Sequence, residues 1–193
     1  METVTAQRAA TVLPTPFPGE ALAFLKDIGP YELVRGAIVP MSPTGWFHGL
    51  VASALVARLQ AFATERGGLH VLSGEVGVYT ERDPDTVRGM DVAVISRERL
   101  AQVDTASGFL DVLPEVVIEV VSPGNPAEEM TTKTREYLAA GAEQVWIVRP
   151  QRRTIATHSA DSSTETWTAA DTLHGRGALV GLTLSIADLF VRA

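Results

Sequence analysis

The sequence predicts an α/β or α+β fold built on one mixed sheet, and three observations lead there. Short β-branched runs recur from Tyr31 into the C-terminal third, so strands outnumber helices. In the centre the apolar run "LPEVVIEVVS", the helical segment Pro126 to Ala140 and the run "QVWIVRP" alternate as strand, helix and strand. Of 193 residues 46% are hydrophobic, enough for one sizeable core and too short a chain for two comfortable domains. The expected organisation is a flexible Pro- and Thr-rich arm over residues 1–17 and a single domain over 18–193.

The elements follow in order. "YELVRGAIVPM" places two apolar runs around Arg35-Gly36, which reads as an N-terminal β-hairpin with a tight turn. Phe47, Val51, Ala54, Leu55, Leu59 and Phe62 repeat at helical spacing, with Ser42-Pro43 or Thr44 as caps and Gly67-Gly68 as the stop. "HVLSGEVGVYT" supplies one or two strands, "ERDPDTVRG" a polar loop and "MDVAVIS" a buried strand. After "LPEVVIEVVS", Asn125, Pro126 and Glu128 fit N-cap, N1 and N3 of the next helix, which Gly141 ends. "RRTIATHS", "TETWTAA" and "GLTLSIADLF" complete the chain as two or three strands and a short terminal helix.

Composition narrows the chemistry. Without cysteine there is no disulfide framework and no thiolate metal site, so any metal must sit on oxygen or histidine. No apolar stretch is long enough to span a bilayer and none has signal-peptide character, which points to a soluble cytoplasmic protein without membrane partners. A net charge of -7 argues against a protein that coats nucleic acid broadly, while leaving room for a local basic surface.

Glu119 is the anomaly of the sequence. In an extended strand Val117, Glu119 and Val121 share one face, and Val116, Ile118 and Val120 the other. A carboxylate among such neighbours must be paired, protonated or metal-bound. Asp91 opens the apolar strand "DVAVI" in the same way. If the two strands pair, the acids meet, and carboxylates about 4 Å apart repel by roughly 4 kcal/mol at an effective dielectric of about 20. A divalent cation such as Mg²⁺ or Mn²⁺, which keeps several waters and accepts one or two carboxylates, would remove that cost.

Each residue also has a structural reading. Asp91 could be a strand-end cap, and Glu119 could pair with an Arg or Lys of a neighbouring strand. Glu129 and Lys133 form an i,i+4 pair of the kind that decorates solvated helices. His48 suits a core or capping position as well as a cleft, and His70, His158 and His174 lack metal-ligand spacing. There is no nucleophilic-serine elbow, phosphate-binding glycine loop or zinc motif.

Taken in order, "YELVRG", a histidine in the following helix, "MDVAVI", "LPEVVIEVVSPGNP", "KTREYLAAGAEQVWIV" and "GLTLSIADLF" resemble the Uma-two family of restriction-endonuclease-like proteins. That family is similar to the PD-(D/E)XK nuclease superfamily, and the resemblance covers nearly all of the chain after the arm. It implies a restriction-endonuclease-like core, a mixed central sheet flanked by helices. Asp91 and Glu119 match the two acids, with Mg²⁺ or Mn²⁺ as the cofactor they would bind. Val121 stands where the superfamily has its lysine, and the resemblance implies that this lysine has moved to the next helix as Lys133, one turn before Tyr137. Glu32 matches an additional N-terminal acid and metal ligand. Met90 replaces the family's usual proline, and Gln144 stands in its usual "EYW". The implied activity is metal-dependent endonuclease hydrolysis of nucleic-acid phosphodiesters, DNA first among them, by a homodimer, with His48 and Tyr137 at the cleft. Arg97, Arg99, Arg149, Arg152 and Arg153 are candidates for backbone contact or simple loop charges. The alternative is a catalytically inactive nuclease-fold module that binds nucleic acid or a protein partner.

Overall fold

A computed structural model describes residues 16–25, 30–104, 106 and 108–190. Residues 1–15, most of the expected arm, lie outside the described residues. The arm's expected end does not: Phe17 is buried, its N–H donates to Gly36 O at 2.8 Å, and a short helix α1 (Gly19–Leu22) packs Leu22 into the same cluster.

The hairpin β1 (Tyr31–Val34) and β2 (Ala37–Pro40) turns at Arg35 and Gly36, both at positive φ, as the tight turn requires. Helix α2 (Trp46–Arg66) buries Phe47, Val51, Leu55 and Leu59 and stops at Gly67. Its N-cap is Gly45, without a side-chain cap bond, so neither Ser42 nor Thr44 acts as expected. β3 (Leu69–Glu81) is one long strand with a register break between Ser73 and Val76. β4 (Thr86–Ser96) starts inside the segment expected as loop, because Thr86 to Gly89 pair with β3 and are buried. A short α3 (Arg97–Leu100) leads to β5 (Val116–Val120), then α4 (Ala127–Ala139), β6 (Gln144–Arg149), β7 (Thr154–Ser159) and β8 (Thr164–Thr168). Asn125 does not cap α4; its Oδ1 accepts from Ser122 N, tightening the loop before the helix. β9 (Thr172–His174) and β10 (Thr183–Ser185) pair with each other, ahead of a 3₁₀ turn at Ala187–Phe190.

The fold is mixed α/β. Its eight-stranded sheet runs β2-β1-β4-β5-β6-β7-β8 with β3 on β4, antiparallel except for the β5–β6 pair, which α4 connects. β5 is buried on both faces because each face has its own cover. Val116, Ile118 and Val120 pack with α2 and the C-terminal leucines, while Val117 packs with Tyr137 of α4 and Met90. The alternation read from sequence therefore holds, and Glu119 falls on the α4 face. No described helix is long and apolar enough to cross a membrane.

Candidate active site

The site occupies a fork in the sheet. β3 lines one edge of β4 throughout, whereas the other edge is shared: β1 pairs at Val87, and β5 begins at Val92, opposite Ile118. Residues 88–91 lie in the gap, where buried backbone groups need other partners. Side chains supply them. Gly89 N donates to Glu32 Oε1 at 3.0 Å, the Tyr137 hydroxyl approaches Gly89 O at 3.4 Å, and Val120 N donates to Asp91 Oδ2 at 2.7 Å.

Those same side chains form a charged network. Lys133 Nζ lies 2.8 Å from Glu32 Oε1 and 3.5 Å from Glu119 Oε1, and all three residues are buried. Arg88 donates to Glu32 Oε2 at 2.8 Å and forms a two-pronged pair with Glu136 at 2.7 and 3.0 Å. The Tyr137 hydroxyl donates to Glu119 Oε1 at 2.7 Å. His48 Nε2, from α2, sits 3.1 Å from Asp91 Oδ2. Five carboxylates (Glu32, Glu75, Asp91, Glu119 and Glu136) thus share two permanent cations and one histidine.

Glu75 reaches the network through the break in β3, where Gly74 and Glu75 both have positive φ. Its carboxylate crosses above Gly89, where a Cβ would lie 3.0 Å from Glu75 Oε2, and it comes close enough to Asp91 for the two charges to act on each other. Two neighbouring carboxyl groups favour a proton on one of them, or a cation between them. Burial first, then the Asp91 charge, raises the Glu75 pKa to about 7. Burial also lifts Glu119 to about 8, because Lys133, divided between two carboxylates, offsets only part of the cost. Burial lowers the His48 pKa, but Asp91 outweighs it and the result is upward. Lys133 is likewise raised above the usual lysine value: burial opposes the charge, and Glu119 and Glu32 more than restore it.

Glu32, His48, Glu75, Asp91, Glu119 and Lys133 line one cleft of about 470 Å³, closed on the far side by the loop of Ser122 to Asn125. The donor set suits a hard divalent ion. Asp91 and Glu119 present oxygen ligands, and burial raises Glu75 and Glu119 because the nearby cations do not fully stabilise their charged forms. Among the described residues no three His, Asp or Glu stand ready as a cage. Two carboxylates completed by water, the usual manner of Mg²⁺, is the arrangement that fits.

The family model described as "Uma2: Putative restriction endonuclease" matches residues 20–187. The chain belongs to the Uma2 family. Among solved structures, a protein from Anabaena variabilis described as a putative nuclease belonging to DUF820 superposes with a TM-score of 0.76. At 19% identity, covering 91% of this chain and 98% of that one, it shows a shared nuclease-like fold. No curated protein matches the chain by sequence.

Set against the Uma2 pattern, the structure gathers Asp91, Glu119, Lys133, Glu32 and His48 in one cleft. Tyr137 stands elsewhere: it is fully buried behind Glu119, holding that carboxylate from below rather than lining the cleft. Glu32 has both oxygens committed to N–H donors, two from side chains and one from Gly89. The structural alternative for Lys133, a surface pair with Glu129, does not form among the described residues, since Lys133 turns inward to Glu32 and Glu119. Arg99 is structural, bonded to Leu113 O at 2.8 Å, Gly141 O at 3.0 Å and Glu115 at 3.1 Å. Sequence reasoning missed Glu75, Arg88 and Glu136. The signal for Glu75 was the Gly-Glu pair inside a strand, a common sign of a bulge.

Proposed function

We propose that the protein is a metal-dependent endonuclease that hydrolyses phosphodiester bonds of nucleic acid, with DNA as the first substrate to test. The observation that carries this reading is the gathering of Asp91, Glu119 and Glu75 with Lys133 in one cleft, Lys133 Nζ 3.5 Å from Glu119, a cluster of acids with one lysine. Asp91 and Glu119 would hold Mg²⁺ or Mn²⁺, with Glu75 the nearest further acid. When bound, the ion would lower the pKa of a water and neutralise charge on the phosphate.

The remaining roles belong to side chains. Lys133 is held by Glu32, and its raised pKa keeps it protonated, so it acts by stabilising charge on the phosphate oxygens rather than as a base. Glu32 is the positioning residue for Lys133 and Arg88, and Tyr137 fixes the orientation of Glu119. His48 orients Asp91. Double-strand cleavage would need two such sites, which a homodimer provides.

A nicking assay on plasmid and single-stranded DNA with Mg²⁺ or Mn²⁺ tests the proposal. Wild type should cleave, and Lys133→Ala should lose roughly 10²–10³-fold while retaining its fold, the usual cost of one transition-state donor. Inactivity on every nucleic-acid form with both ions would favour a non-catalytic nuclease-fold module. Equal activity in Lys133→Ala would remove the lysine from the mechanism.

A further inference from the structure

On the flank of α4 away from the acidic cleft, the helix and β6 to β8 enclose a second groove of about 260 Å³ with charge of the opposite sign. Arg135 enters it from α4, Arg149 from β6 and His158 from β7, and Thr131, Ser163 and Thr164 add hydroxyls at its margin. Among the described residues no carboxylate pairs with Arg135 or Arg149. Arg149 is half-buried, and burial and then Arg152 hold its pKa below the usual arginine value. Burial and then Arg149 act in the same direction on His158. Two guanidinium groups lining one groove without an acid, beside hydroxyl donors, are complementary to an anion that offers several oxygens. In a chain of net charge -7, this is a local departure from the overall sign.

We propose that this groove is a phosphate-binding subsite for the nucleic-acid backbone, to one side of the reacting bond. It rests on the reading of the acidic cleft as a nuclease site. Met130 lines both cavities, so α4 is the ridge between them. A helix with its side chains is about 10–12 Å across. The groove therefore takes a phosphate about one helix width from the one in the cleft.

The test is anisotropy of a short fluorescein-labelled single-stranded DNA with full-length Asp91→Asn protein in EDTA, where nothing is cut, over a range of salt. Arg135→Ala/Arg149→Ala should weaken binding about tenfold or more and flatten the log–log salt slope by about 1.4, roughly 0.7 per lost phosphate contact. Thr131→Glu, on the exposed helix surface, should weaken binding too, and Arg149→Lys should keep most of it. Unchanged affinity and slope in both the double variant and Thr131→Glu would overturn the subsite and leave the nuclease reading standing. A second arm follows the His158 ring resonances by NMR as pyrophosphate is added. A pyrophosphate response that depends on the arginines, without any DNA binding, would overturn the nucleic-acid assignment and count against the nuclease reading itself. No response to either probe overturns the subsite.

Discussion

Glu32 and Asp91 are both buried acids, yet their substitutions should have opposite consequences. Glu32 neutralises Lys133 and Arg88 and also accepts from Gly89 N. Glu32→Ala leaves two buried cations short of a partner and should cost about 3–5 kcal/mol in denaturant unfolding. Asp91 instead faces Glu75, with Glu119 close by, and its charge raises the pKa of both. Asp91→Asn keeps an oxygen able to accept from Val120 N and removes one like charge. The metal-free variant should therefore melt no lower than wild type at pH 8, and its stabilisation by Mn²⁺ should shrink or vanish. A strongly destabilised Asp91→Asn would instead mark Asp91 as the structural partner of His48.

At the scale of elements, the hairpin and the fork decide whether the site can form. Gly36 has φ of +75°, and a Cβ there would collide with Pro16 Cβ, so Gly36→Ala should destabilise by more than about 1 kcal/mol in urea unfolding. Because β1 carries Glu32, the same change should also lower activity. Glu119 was legible in the sequence because period-two alternation puts an acid on an apolar face, and Asp91 because it opens a similar run. Lys133 was ambiguous: the local i,i+4 pair with Glu129 competes in sequence with ion pairs to Glu32 and Glu119, and only the tertiary fold decides between them. Glu75 was legible only through Gly74 as a bulge signal, since regular alternation does not say which way a strand turns at a register break, and the bulge at Gly74 is what turns its carboxylate toward Asp91. Arg88 was read as loop because "ERDPDTVRG" is polar, whereas pairing with β3 and the Glu32 and Glu136 carboxylates draw it into the interior.

For the whole molecule, the acid cluster sets an unusual pH dependence. Glu119 and Glu75, with ordinary values of 4.5, are raised to about 8 and about 7, so the folded protein retains protons that the unfolded chain releases. Stability from these groups is present in full below about pH 4.5 and is lost as pH rises through 7 to 8. His48, raised above 6.5, adds to the loss in the same direction. The melting temperature in EDTA should thus fall from pH 5 to pH 8.5. Mg²⁺ binds the deprotonated acids, so the increment it adds should grow over the same range. A flat increment would place the ion outside this cluster.

Everything in the proposed mechanism depends on Asp91 and Glu119 holding a divalent ion. An anomalous difference map from a crystal soaked in Mn²⁺ tests it most directly. A peak within about 2.0–2.3 Å of an oxygen of each carboxylate, with waters completing the shell, is the result the account requires. Full Mn²⁺ exposure with no peak between these two residues, or with the ion bound only elsewhere on the protein, would contradict it.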